Sequence, residues 1–193
     1  MEESIYGDHL PEMEKVMNDM LERISKLRSE MEAASGMDPV EHCLYRIKSE
    51  ESMREKCRRS SLPENADSAL HILTDAIGIR IVCAFLQDVY TVRDYIAAFP
   101  DLTVIKEKDY IRNAKPNGYR SFHMIVQTES GYFVEFQLRT ISMDTWAALE
   151  HHLKYKKEIS GNTSLIASEL KRCAEELAST DVSMQEIRNM IFS

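Results

Sequence analysis

Residues 77–85 read IGIRIVCAF. So dense a run of β-branched and apolar side chains predicts a buried strand, and a buried strand needs a sheet with other elements packed on it. The flanking sequence supplies them. Apolar residues recur in steps of three and four from Leu10 to Met31, which predicts an amphipathic helix over 10–33, stopped at Ser35-Gly36. Its near-heptad stripe favours self-association. Asp38-Pro39 suits the start of a short helix. Ser49 is placed to cap a helix over 50–60, with Glu50 and Glu51 at its positive end and Leu62-Pro63 after it. A helix over 88–99 and a strand over 102–108 follow. Residues 121–128 and 132–139 make a hairpin around Glu129-Ser130-Gly131. Thr140 caps a helix to about residue 157, Gly161-Asn162 interrupts, and 164–190 forms a last helix with an apolar side from Leu165 to Ile191. The expected fold is α+β: a mixed sheet with helices on it, one domain over 1–193, its core at about 40–157 and long helices at both ends.

The charge pattern narrows the function classes. The net charge is −8, which disfavours non-specific coating of DNA or RNA. An RNA regulator stays open as a partner. No apolar run approaches the roughly 20 residues of a membrane span, and the acidic start is no signal peptide, so a cytoplasmic protein with no membrane partner is expected. Cys43, Cys57, Cys83 and Cys173 are scattered without a C-x-x-C pair and read as reduced thiols. Basic residues concentrate at 46–59 and 106–120. Two such clusters in an acidic chain suit a local anion site, although charge alone favours solvated faces balanced by Glu50, Glu51, Glu55, Glu107 and Asp109.

Residues 133–139 alternate: Val134, Phe136 and Leu138 point one way, and Glu135, Gln137 and Arg139 the other. A wet sheet face and a functional face both fit that pattern. Asp75 stands at the mouth of the buried strand, and Arg80 lies inside it, where a guanidinium needs a carboxylate or an anion. Gly78 would let a ligand approach the backbone. Asp75 and Glu135, on neighbouring strands, could hold Mg²⁺ through oxygen. The loop 112–120 and the residues after it add Lys115, Tyr119, Arg120 and His123: cations for phosphates and a ring for a base. There is no G-x-G-x-x-G and no G-x-x-x-x-G-K-[ST], so a phosphate site here is made by side chains. His151-His152 fits a helix surface better than a metal site.

These residues fall in runs that carry a resemblance. TDAIGIR at 74–80, EKDYIRNAKPNGYRSFH at 107–123 and VEFQLRT at 134–140 strongly resemble the synthetase domain of the RelA/SpoT family. RIKSEES at 46–52 and MDTWAALEH at 143–151 fit the same family. The resemblance spans about 40–157 in order and leaves no room for a hydrolase domain, so the chain looks like a stand-alone small alarmone synthetase. It implies a nucleotidyltransferase-like sheet of about five strands and transfer of pyrophosphate from ATP to the 3′-hydroxyl of GDP or GTP. By position it implies that Asp75 and Glu135 bind Mg²⁺, with Glu135 also the base. Arg46 and Arg80 would sandwich adenine, and Lys48, Lys56 and Arg58 or Arg59 would hold ATP phosphates. Tyr119 would stack on guanine, Lys115, Arg120 and His123 would face the acceptor's phosphates, and Gln137 would sit beside the acceptor. A homotetramer is implied too. Asp144 stands where some members have Asn near the guanosine, so no acceptor contact is expected from it. Residues 42–45 do not match the segment with which some tetrameric members bind alarmone. The competing expectations are a pyrophosphokinase with another acceptor, an adenosine nucleotide or a tRNA 3′ end, and a non-catalytic nucleotide- or RNA-binding oligomer.

Overall fold

The computed structural model describes residues 4–155 and 162–192. Helix α1 (Leu10–Ser35) leads into β1 (Val40–Ile47) and α2 (Glu50–Arg59). Then come β2 (Ile77–Cys83), α3 (Leu86–Ala97), β3 (Leu102–Asp109), β4 (Phe122–Thr128), β5 (Phe133–Thr140), α4 (Ile141–Tyr155) and α5 (Thr163–Phe192). The sheet order is β1-β2-β5-β4-β3. Only the central β2–β5 pair is parallel, and it joins strands distant in sequence.

The buried strand expected at 77–85 is β2, second in the sheet. Val134, Phe136 and Leu138 of β5 meet Phe122, Met124 and Val126 of β4 on the core face, all nearly inaccessible. The stripe of α1 is spent on this core: Met13, Val16, Met20, Ile24 and Leu27 are buried. The near-heptad pattern therefore serves packing within the chain. Gly36 closes α1 in the left-handed region at φ 72, its N–H donating to the Glu32 carbonyl, where a side chain would add strain. Ser49 caps α2 as expected, accepting from the Ser52 N–H.

One element departs from expectation. Residues after Asp38-Pro39 form the strand β1, not a short helix. The Asp38 carboxylate accepts from the Val40 N–H at 2.9 Å and pairs with Arg28, which turns the chain into the sheet. β1 lies at an edge and exposes most of its side chains, so it lacks the alternation that marks a half-buried strand. Helix α5 also departs: of its 30 residues only Ala174 and Asp181 are buried, and Leu165, Val182, Ile187 and Ile191 remain exposed.

Candidate active site

Alternation along a strand and pairing between strands together put functional side chains in rows. In register, Arg46, Gly78, Glu135, Ile125 and Lys106 run across all five strands. The next row is Leu44, Arg80, Gln137, His123 and Lys108. These rows are the face opposite the apolar core. Glu135 stands on the middle strand, with cations on either side of it.

Two cavities of about 220 Å³ open on this face, and Glu135 lines both. The first is walled by Arg46, Arg80, Asp75, Glu135 and Gln137. Gly78 forms part of its floor; a Cβ there would meet only the Arg46 carbonyl oxygen, at 4.0 Å, so the missing side chain leaves open space. The second is walled by Lys106, Lys108, Tyr110, Lys115 and His123.

Around the first cavity, cations lean on carboxylates. Lys48 Nζ and Lys56 Nζ stand 2.5 and 2.6 Å from Asp75 Oδ2. Lys48 is held at the end of β1 by its N–H donating to Ala76 O and by Tyr6 Oη donating to its carbonyl at 2.6 Å. Burial alone would raise the Asp75 pKa, but the two ammonium groups outweigh it and keep the carboxyl below its usual value. Arg80 Nη1 lies 3.4 Å from Asp144 Oδ1, which also receives Arg139 Nη1 at 2.9 Å. Asp144 is thereby engaged with two arginines.

Around the second cavity, cations lean on rings. Lys115 Nζ lies 4.7 Å from the ring centre of Tyr110 and 4.8 Å from that of Tyr119. Tyr119 Oη and His123 Nε2 share a hydrogen bond of 2.8 Å, and Arg139 Nη2 donates to Tyr119 Oη at 2.9 Å. His123 Nδ1 stands 3.6 Å from Glu135 Oε1, and Gln137 Nε2 donates to Glu135 Oε2 at 3.4 Å. Burial pushes the Glu135 pKa up, as does Asp75; the hydrogen bond and charge of His123 and the Gln137 amide more than offset this, and the net shift is downward. Both carboxyls are therefore ionised at neutral pH.

The fit to a divalent cation can be judged on the donors. Asp75 Oδ1 is buried with no hydrogen-bond partner among the described residues, a costly state for a carboxylate oxygen unless a cation meets it. Asp75 and Glu135 both line the first cavity. Hard oxygen donors of this kind suit Mg²⁺, which takes one or two carboxylates and completes its shell with water and phosphate. Among the described residues no group of three or more His, Cys, Asp or Glu is arranged around a common metal position.

Several expected residues lie elsewhere. Arg58 and Arg59 are exposed on α2, outside both cavities, and Arg58 pairs with Glu51 and Glu64. Two positions past Lys56, Arg58 falls on the far side of the helix. Arg120 lies three positions before His123 in extended chain, on the opposite face: it donates to the Ile111 carbonyl and faces α4 and α5, away from the second cavity. Gln137 lines the first cavity, not the second. Tyr119 is half-buried behind Lys115 and His123, and Tyr110 is the ring that lines the second cavity. Lys106, Lys108 and Tyr110 had no assigned role from sequence; alternate cations in β3 were the available signal, and only strand register separates that from a solvated edge.

Comparisons with known proteins place the chain in a family. The family described as a region found in RelA / SpoT proteins matches residues 45–160. GTP pyrophosphokinase YjbM of Bacillus subtilis is 34% identical over 185 residues, covering 92% of this chain and 85% of that protein. The crystal structure of small alarmone synthetase 1 from Bacillus subtilis bound to its product pppGpp superposes with a TM-score of 0.80 at 32% identity, covering 94% of this chain and 95% of that one. The structure of small alarmone synthetase 1 bound to AMPCPP gives a TM-score of 0.72 at 32% identity, covering 93% of each chain.

Proposed function

The chain belongs to the RelA/SpoT family, and on that premise we propose what its site does: it is a (p)ppGpp synthetase, a GTP/GDP diphosphokinase. It transfers the pyrophosphoryl group of ATP to the 3′-hydroxyl of GDP or GTP. The observation that carries the assignment is the place of Glu135, on the wall shared by two cation-lined cavities. The acceptor's 3′-oxygen bonds to the β-phosphorus, the bond from that phosphorus to the α,β-bridging oxygen breaks, and AMP leaves.

The first cavity is the donor site. Arg46 and Arg80 flank the glycine-floored space that takes adenine. Lys48 and Lys56 hold the phosphates, which replace Asp75 as their partner. The second cavity is the acceptor site, where Lys106, Lys108 and Lys115 face the phosphates and Tyr110 offers its ring to guanine; Tyr119 joins the stack when Lys115 leaves its face for a phosphate. Asp75 and Glu135 would hold Mg²⁺, which would neutralise charge on the transferred group. Glu135 accepts the 3′-hydroxyl proton. With its pKa lowered it is a weak base, and that suffices, because this chemistry depends on alignment and charge neutralisation more than on a potent nucleophile. His123 and Gln137 orient its two oxygens.

Self-association belongs to the same proposal: Leu149 and Leu153 on α4, with Val182, Ile187 and Ile191 on α5, give apolar surface that a second copy would cover. No helix among the described residues is long and apolar enough to cross a membrane.

Product analysis tests the function. The protein is mixed with Mg²⁺, γ-labelled ATP and GDP, GTP or an adenosine nucleotide in turn. Label moving onto the guanine nucleotide with stoichiometric AMP is expected. Label on the adenosine acceptor alone, or ADP in place of AMP, overturns it.

A further inference from the structure

Helix α5 lies outside the catalytic sheet and carries none of the residues that line the two cavities. Yet of its 30 residues the two that are buried both touch the machinery of transfer. Asp181 accepts from Thr140 Oγ1 at 2.6 Å, at the end of the strand that carries Glu135. Ala174 packs on Gly118, in the turn that carries Lys115 and Tyr119.

The second contact is tight. A Cβ on Gly118 would stand 2.6 Å from Ala174 Cβ and 3.3 Å from Lys171 Cα. Helix and turn approach as closely as a bare glycine allows, and Gly118 also holds φ 93, which favours glycine on its own account. The turn is a single unit. Gly118 N–H donates to Lys115 O at 2.8 Å, Lys115 N–H donates to Tyr119 O at 3.1 Å, and Asn117 Oδ1 accepts from Tyr119 N–H. A push on Gly118 therefore moves Lys115 and Tyr119 together. The same face of the helix is pinned a second time: Trp146 Nε1 donates to Leu170 O at 2.8 Å, one turn before Ala174.

The geometry points to Ala174 as a positioning residue for the acceptor: α5 is the backstop against which the acceptor turn is set, so the side chain at 174 fixes where Lys115 and Tyr119 stand. This rests on the synthetase assignment, and it goes beyond it, because it makes acceptor affinity depend on a helix that touches neither nucleotide. The donor cavity has no wall on α5, so the effect is one-sided.

The test is a size series at one position: Ala174→Ser, Ala174→Val and Ala174→Leu. KM is measured for GDP or GTP at saturating ATP and Mg²⁺, and for ATP at saturating acceptor. Acceptor binding is read separately through Trp146, the sole tryptophan, whose ring lies 6.5 Å from that of Tyr119. The acceptor KM should rise with side-chain size, by about tenfold or more for Leu, in the range of an overpacked contact. The ATP KM should stay within about twofold, below the tenfold that 1.4 kcal/mol represents. The Ser variant adds one atom and keeps the series readable if Leu disturbs folding. Equal change in both KM values, or no change in either, overturns the inference. Absence of product from the unsubstituted protein would instead overturn the synthetase assignment, and the Trp146 titration would still report on the turn.

Discussion

The donor and acceptor cavities share Glu135 and similar size, but they hold their cations in different ways. On the donor side Lys48 and Lys56 rest on Asp75, and Arg80 on Asp144; Lys48 directly follows β1, Asp75 stands two residues before β2, and the other three lie within helices or strands. On the acceptor side Lys115 rests on the faces of Tyr110 and Tyr119, and it rides on a turn that leans on α5. A carboxylate partner fixes a cation until an anion of higher charge competes for it. An aromatic face holds it more weakly, by about 0.5–2 kcal/mol, and leaves it free to reorient. The donor site is thus set before nucleotide arrives, whereas the acceptor site has an adjustable wall.

The largest expected effect falls where the two halves meet. Glu135→Gln keeps the shape and the contacts to Gln137 and His123 but removes the proton acceptor and a metal ligand. It should lower kcat by roughly 10²–10⁴-fold with an unchanged melting temperature. Retained turnover in a steady-state assay would remove Glu135 from its role.

Next in size is a one-sided effect. Tyr119→Ala should raise the acceptor KM by the ~1–3 kcal/mol of a lost base stack, with little change for ATP. Tyr119→Phe keeps the ring and loses only the hydroxyl shared by His123 and Arg139, so it should cost far less. If Phe is as damaging as Ala, the hydroxyl network matters and the stacking role falls.

The smallest effect concerns stability. The folded pKa of Asp75 is lowered, so its contribution is present above the ordinary carboxylate value, about 3.9, and is lost as the pH falls through the lowered value. In the Lys48→Met/Lys56→Met double variant burial acts alone and the pKa moves upward. The sign then inverts, and stability should fall as the pH rises through the carboxylate range. Melting curves from about pH 2.5 to 7 should show opposite slopes: the unsubstituted protein loses stability as the pH falls below about 4, and the variant loses it as the pH rises above that value, at roughly 2–4 °C per kcal/mol for a chain of this size. Parallel slopes would mean that the lysines do not hold the carboxylate in solution.

Some of this was legible in residues alone. The polar row of β5 was, because side-chain direction in a strand is a local, two-residue property, and Glu135, Gln137 and Arg139 declare it. Asp75 and Arg80 were, because charge in or beside an apolar run demands a partner. The β1 strand was not, since its exposed edge removes the pattern that would betray it. Lys106 and Lys108 were not, because cations on an edge strand read the same whether they face a cavity or bulk water. Arg120 was assigned to the acceptor by its place in a motif, and it faces α4 and α5 instead, donating to the Ile111 carbonyl from the segment just before β4.

The sequence by itself determined which face of β5 is apolar, where α1, α2 and α4 begin, and that paired carboxylates and two basic clusters exist to be used. Only the tertiary structure decided that Asp75 and Glu135 line one cavity, that Glu135 borders two, and that a glycine turn rests on the last helix. The reason is range. Alternation and capping act between neighbours in the chain. The parallel pairing of β2 with β5 and the seating of α5 on Gly118 are set by contacts between segments far apart in sequence, and no local pattern encodes them.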